Sequence, residues 1–215
     1  MIRKSKALGL ALVAVFAMSA VIASAASAST FHAAKYPVTL SGSQTTTHVF
    51  SASGTSVSCE KATFAGTASA DSSEVTIHPT YSGCTAFGFV GATVNTEGCN
   101  YVFHSGATTN EAEEIYAGTT DISCPAGQSI KITASTCALE VKAQTGLSSV
   151  SFDNNAAGTE TVGANVEKIA NTVTKDGFLC PLNGTGNFTD GKYTGNTLVE
   201  GKDSGGSADA IKVNM

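Results

Sequence analysis

The sequence predicts an all-β protein: an antiparallel β-sandwich or barrel-like domain with disulfides, preceded by a signal peptide. Three observations predict it. Short Thr- and Val-rich runs alternate apolar and polar residues, Gly, Asn, Asp and Ser turns separate them, and six cysteines follow an export-type N-terminus.

The N-terminus divides the chain. "MIRKSK" supplies Arg3, Lys4 and Lys6, "ALGLALVAVFAMSAVIA" is a run of apolar and small residues, and "SAASA" offers small residues before a cleavage point after Ala28. Ala and Ser dominate the second half of the run and no basic cluster follows, unlike an anchoring helix. Residues 1–28 therefore read as a signal peptide and 29–215 as a single secreted β domain, extracellular or at the cell surface. No membrane span is expected after cleavage.

Beyond residue 28 there are nine Lys, no Arg and 17 Asp plus Glu, a net charge of about −8. Phosphate recognition favours Arg forks and a positive field, so nucleic acid and anionic membranes are poor partners. An extracellular protein, a glycan or a small ligand stays open.

Taken in order, "YPVTL" (36–40), "THVFSA" (47–52) and "TSVSCEKATFAGTA" (55–68) open the series of strands. "SEVTIH" (73–78) alternates sharply, with Val75 and Ile77 on one face and Glu74, Thr76 and His78 on the other. Pro79, Ser82 and Gly83 then read as a turn. "TAFGFVGATVN" (85–95), "CNYVFHSG" (99–106), "SIKITAS" (129–135), "CALEVKAQ" (137–144) and "GLSSVSFDN" (146–154) follow. "DGFLCPLNG" (176–184), "NTLVEGK" (196–202) and "ADAIKVN" (208–214) close it. "LNGTGNFTDGKYTG" (182–195) has turn chemistry throughout, with Asn-Gly and Asp-Gly steps suited to hairpins and acceptor-type sequons at Asn183 and Asn187.

Two segments fit less well. "EAEEIYAG" (111–118) reads as a helical turn or an acidic edge strand. In "TETVGANVEKIANTVTKDG" (159–177), Val162, Val166, Ile169 and Val173 stand at helical spacing. Its Thr and Val content and Gly163 favour strand, and a short helix stays open. The alternation places Val75, Ile77, Phe87, Phe89, Val94, Tyr101, Phe103, Ile130, Ile132, Leu139, Val141, Val150, Phe152, Phe178 and Leu182 in the core.

Cys59, Cys84, Cys99, Cys124, Cys137 and Cys180 form an even set beyond the signal, which predicts three disulfides. None shows the C-x-x-C spacing of a redox or zinc centre. A weak internal repeat ("GCNYVFHSG" against "TCALEVKAQTG") suggests Cys84–Cys99, Cys124–Cys137 and Cys59–Cys180. A hairpin about Gly91-Ala92 supports the first pair by bringing Phe89 opposite Val94. The second places its turn at Ile130-Lys131, inside an apparent strand, and Cys59–Cys84 competes.

No constellation for catalysis stands out. There is no G-x-S-x-G elbow, and His48, His78 and His104 alternate with β-pattern residues as solvent-facing strand histidines do. No metal or cofactor is expected: H-x-H and H-E-x-x-H spacings are missing. "DNNAAGTE" (153–160) and "DSGGSAD" (203–209) set oxygens beside glycines without following a calcium-loop pattern. The acidic residues Glu111, Glu113 and Glu114 read as a solvated loop. Tyr81, His78 and His104 are the candidate surface ligand contacts. A ligand-binding form of the protein predicts an exposed groove carrying Tyr36, Tyr81, Tyr101 or Tyr193.

The strings "PTYSGCTAFGF" and "DGFLCPLNGTG", within 62–106 and 174–201, carry a resemblance. They resemble an uncharacterised group of secreted, cysteine-containing β proteins from high-GC Gram-positive soil bacteria. The resemblance implies a bacterial exported β protein, favours strand over 159–175, and transfers no catalytic roles. The expected function is a secreted or surface-associated, non-enzymatic β protein with a structural or interaction role. An extracellular ligand-binding module comes next and a secreted hydrolase last.

Overall fold

A computed structural model describes residues 29–177, 180–182 and 184–214. The segment read as a signal peptide, and Phe178 and Asn183, lie outside the described residues. The described chain is all-β and forms fourteen strands: β1 (Thr30–Ala33), β2 (Val38–Gln44), β3 (His48–Ala52), β4 (Thr55–Ala68), β5 (Glu74–Ala86), β6 (Val90–Asn95), β7 (Asn100–Asn110), β8 (Ile115–Ser123), β9 (Ile130–Ala134), β10 (Cys137–Val141), β11 (Gln144–Asn154), β12 (Glu160–Asp176), β13 (Gly186–Lys202) and β14 (Ile211–Asn214).

Twelve of these strands act as eight staves. β2 and β3 run in line, both antiparallel to β4. The pairs β6 with β7, β8 with β9, and β10 with β11 are likewise single staves interrupted by a short break. β4, β5, β12 and β13 are unbroken. Each stave pairs with the one before it in sequence, and β13 returns to pair with β2 and β3. The result is a closed, eight-staved, up-and-down antiparallel barrel, the barrel form of the expected fold class. Closure leaves no long unpaired edge.

Side-chain alternation sends one row inward. Phe64, Val75, Ile77, Val150, Phe152 and Val166 are buried in the barrel, while Glu60, Lys61, Glu74, Thr76 and Thr80 on the same strands face out. The outer wall is thus polar and the inner wall apolar, the inverse of a lipid-facing barrel. At one end β1 and β14 pair as a two-stranded ribbon that closes the lumen. Phe31 of the ribbon meets Phe152 edge-on at 5.1 Å, and the Asn154 amide bonds both backbone groups of Val213 at 2.8 and 2.9 Å. At the other end Phe87 and Leu182 pack over the wall, near the Cys137–Cys180 disulfide.

β12 is a strand throughout, and its register explains its helical spacing. Val162, Ala164 and Val166 face inward, a bulge around Lys168 (φ 61°) inserts an extra residue, and Ile169, Asn171 and Val173 resume the inward row. The bulge turns a period of two into a single step of three.

Several expectations are corrected. β5 does not turn at Pro79–Gly83 but runs through to Ala86. Pro79 lies in the stretch where β5 keeps β4 on one side and pairs with neither β6 nor β7 on the other, an interruption that tolerates proline. The hairpin turns at Phe87-Gly88-Phe89, not at Gly91-Ala92. Gly88 takes φ 81° there, and Phe89 is thrown out to 83% exposure instead of entering the core. Residues 111–114 form the turn before β8. Asp190-Gly191 is no hairpin either: β13 runs through it, and Gly191 sits opposite the bulged segment at Ile169. The described residues of 177–184 form a connection, not a strand.

Three disulfides form, as the cysteine count predicts; of the sequence-based pairings only the competing Cys59–Cys84 does, and none of the three preferred ones. Cys84–Cys99, Cys124–Cys137 and Cys59–Cys180 give way to Cys59–Cys84, Cys99–Cys124 and Cys137–Cys180. With the β5–β6 turn at Gly88, Cys84 falls opposite Ala92 and away from Cys99, and on its other side the β4–β5 ladder sets it directly opposite Cys59. Cys99 and Cys124 face each other just beyond the Asn100–Ser123 pair, at the breaks in two neighbouring staves.

Candidate functional site

The lumen holds what the outer wall does not: polar groups placed deliberately among apolar ones. Four side chains converge at mid-barrel. Tyr81 of β5 lies 2.9 Å from the Tyr101 hydroxyl and 2.8 Å from that of Tyr193, and Tyr193 lies 2.6 Å from His48 Nδ1. The opposite ring nitrogen, His48 Nε2, is 3.2 Å from both the Asn196 carbonyl and Thr197 Oγ1. A carbonyl only accepts, so Nε2 carries the hydrogen and Nδ1 is the acceptor. Tyr193 therefore donates to His48, Tyr81 donates to Tyr193, and Tyr101 donates to Tyr81. The hydrogen bonds run in one direction across the barrel.

The barrel builds this chain by letting each ring enter on an inward position. Tyr81 continues the row of Val75, Ile77 and Pro79, Tyr101 shares its row with Phe103, and His48 shares its row with Phe50 and Ala52. Gly195 makes room for the imidazole, because a Cβ there would fall 2.6 Å from His48 ring atoms. Burial pushes the Tyr101 hydroxyl up to about 12 and those of Tyr81 and Tyr193 well above the ordinary range. It also holds the His48 imidazole below its usual range, so all four groups are neutral at pH 7.

The chain partitions the lumen. On the Phe87 side is an apolar chamber of about 80 Å³ lined by residues such as Phe50, Ile132, Val141 and Ile169. On the ribbon side is a second chamber of about 60 Å³ whose walls include Phe31, Phe64, Val75 and Phe152. Tyr101, Phe103, Ala164 and Tyr193 line both.

The second chamber contains one carboxyl group. Glu160, at the start of β12, is 2% exposed, and its Oε2 is buried without a hydrogen-bond partner. Burial, with a smaller contribution from nearby Asp153, pushes its carboxyl up to about 8, so it is largely protonated at neutral pH.

The predicted contacts are distributed differently. His78 is exposed on the outer wall, where its ring meets Asn100. His104 is also on the outer wall, 3.1 Å from Asp121 and 3.6 Å from Glu74, and lines neither chamber. Tyr81 is not a surface contact: it is in the lumen. The expected tyrosine groove is replaced by an internal meeting of Tyr81, Tyr101 and Tyr193, with Tyr36 apart and bonded to Asp71. His48, read as solvent-facing, is buried at 3% exposure. Its phase with Phe50 and Ala52 was the signal. Glu160 carried none, sitting at the end of "DNNAAGTE" as a loop carboxylate. That stretch closes the β11–β12 hairpin through Asn155 and Thr159, and Asp203 of the other loop bonds the backbone amides of Gly205 and Ser207 and the Lys35 ammonium.

Comparison with family models, with curated proteins and with solved structures returns no match. The lumen itself is therefore the ground for any functional argument.

Proposed function

We propose that this is a secreted, non-enzymatic binding protein whose barrel lumen takes a small, largely apolar molecule. The observation that carries the proposal is the pair of apolar chambers separated by a hydrogen-bonded Tyr/His partition. Eight strands leave an interior that side chains just fill or that holds one small ligand. Apolar walls with a few fixed polar groups are the usual make-up of a small-molecule site. The three disulfides suit an oxidising, extracellular setting.

At about 80 and 60 Å³ each chamber is smaller than the engineered cavity of roughly 150 Å³ that stays dry and takes benzene, which makes benzene the upper size of ligand for a single chamber. Benzene is therefore the probe. It should raise the melting temperature of the wild type and shift the NMR signals of lumen methyl groups. Ala164→Leu, which adds bulk between the chambers, should remove both effects. A barrel serving only as a scaffold would show neither in the wild type, and that result would overturn the proposal.

A further inference from the structure

The ribbon-side chamber combines two features that do not belong together in a mere packing defect. Its walls are aromatic, with Phe31, Phe64, Phe103 and Phe152 around it, and the single carboxyl group of Glu160 lines it. A buried carboxyl oxygen without a partner costs roughly 1–3 kcal/mol, and a natural core seldom keeps one without reason. Aliphatic residues of the same size fill that position at no such cost.

The chemistry that suits a lone carboxyl between aromatic rings is a cation. A carboxylate supplies its counter-charge and hydrogen-bond acceptor, and aromatic rings tolerate an ammonium better than other apolar walls do. Among the described residues, the chamber lining contains no Lys, Arg or His that would already neutralise Glu160. The other titratable groups lining it are Tyr101 and Tyr193, held neutral, while Asp153, outside the lining, adds a negative charge nearby that also favours a cation. The acidic chain as a whole attracts cations rather than anions.

We propose that the ribbon-side chamber recognises the amino group of a small apolar amine, with Glu160 as its counter-carboxylate. This rests on the lumen being a binding site and adds the chemical class of the ligand. The proton balance follows. A free amine is an ammonium at pH 7, while Glu160 alone holds a proton. Forming the ammonium–carboxylate pair releases that proton to solvent, and no other reactant is needed. Binding should therefore strengthen about tenfold per pH unit up to pH 8 and level off above it.

Calorimetric titration of the full chain with propylamine and with its neutral counterpart 1-propanol, in two buffers of different ionisation enthalpy, tests this. Propylamine should bind the wild type with release of close to one proton at pH 7. Glu160→Gln should weaken propylamine at least tenfold more than it weakens 1-propanol. The proton release is read on the wild type, so it stands whether or not the variant folds. Propanol binding as tightly as propylamine, or amine binding without proton release, overturns the amine assignment and leaves the lumen reading intact. If propylamine, 1-propanol and benzene all fail to bind, the lumen reading falls with it.

Discussion

Tyr193 donates its hydroxyl hydrogen to Nδ1 of His48 across 2.6 Å, and this contact sets the direction of hydrogen bonding through the lumen. With Nε2–H committed to the Asn196 carbonyl, Nδ1 has one natural donor. Tyr193 in turn accepts from Tyr81. Tyr193→Phe removes a donor and an acceptor at once and leaves His48 Nδ1 buried and unpaired. Such a loss costs roughly 1–3 kcal/mol. Urea denaturation should show a lower midpoint with an unchanged slope. Tyr36→Phe, which alters a half-buried phenol at the rim bonded to Asp71 and accepting from the Ala33 N–H, should cost less. Equal effects for the two variants would show that the lumen chain is not cooperative.

The disulfide pattern gives a covalent check. Peptide mapping without reduction should recover Cys59–Cys84, Cys99–Cys124 and Cys137–Cys180 as the linked pairs. These close loops of 25, 25 and 43 residues, and chain-entropy arguments assign each about 3–4 kcal/mol. Replacing both members of any one pair by Ser should lower stability by that order. Recovery of a Cys84–Cys99 peptide would contradict the β4–β5 register.

The cysteines also show how far the sequence could be read. Strand runs were legible because alternation needs only local information: β4 matches its predicted span at both ends. Pairing depends on where each hairpin turns: moving the β5–β6 turn three residues, from Gly91 to Gly88, takes Cys84 away from Cys99, and the β4–β5 register gives it Cys59. A signal for the true pairs existed in the equal spacing of Cys59 to Cys84 and Cys99 to Cys124, since successive hairpins repeat. The bulge at Lys168 hid a strand behind a helical period. The lumen site was half legible: the phase of Tyr81 with Val75 and Ile77 points inward, and the phase of His48 with Phe50 does likewise. Glu160 was not, because its burial comes from barrel closure and the β1–β14 ribbon, both of which join distant parts of the chain.

The lumen tyrosines should betray themselves at alkaline pH. Their folded pKa values lie above the ordinary value near 10, so the unfolded chain loses these protons first. The folded state then holds more protons, and stability falls as pH rises above about 10, by roughly 4 kcal/mol per pH unit for three such groups. The ultraviolet phenolate band should therefore appear in two stages. The second, from Tyr81, Tyr101 and Tyr193, should coincide with loss of the β-sheet circular dichroism signal. A single smooth titration with the barrel intact would place these hydroxyls in contact with solvent.

Glu160 and His48 pull the pH dependence of stability in opposite directions, and this separates them. The folded Glu160 carboxyl is raised to about 8, so between its unfolded value near 4.5 and pH 8 the native state holds a proton that the unfolded chain has lost. Stability then falls as pH rises, by about 1.4 kcal/mol per unit. The folded His48 value is depressed by burial, so below about pH 6.5 the unfolded chain binds a proton that the native state refuses, and stability falls as pH drops. The two slopes oppose each other in mildly acidic solution, and between about pH 6.5 and 8 only Glu160 acts. Over that window the wild type should lose about 2 kcal/mol, read as a falling urea midpoint. Glu160→Gln should flatten the curve there and steepen the fall below about pH 6.5, where the His48 slope then acts unopposed. Propylamine, by holding Glu160 as a carboxylate, should restore stability most at the alkaline end of the window. A wild-type profile already flat between pH 6.5 and 8 would mean that Glu160 is not protonated in the folded chain, and the chamber would then be hydrated rather than apolar.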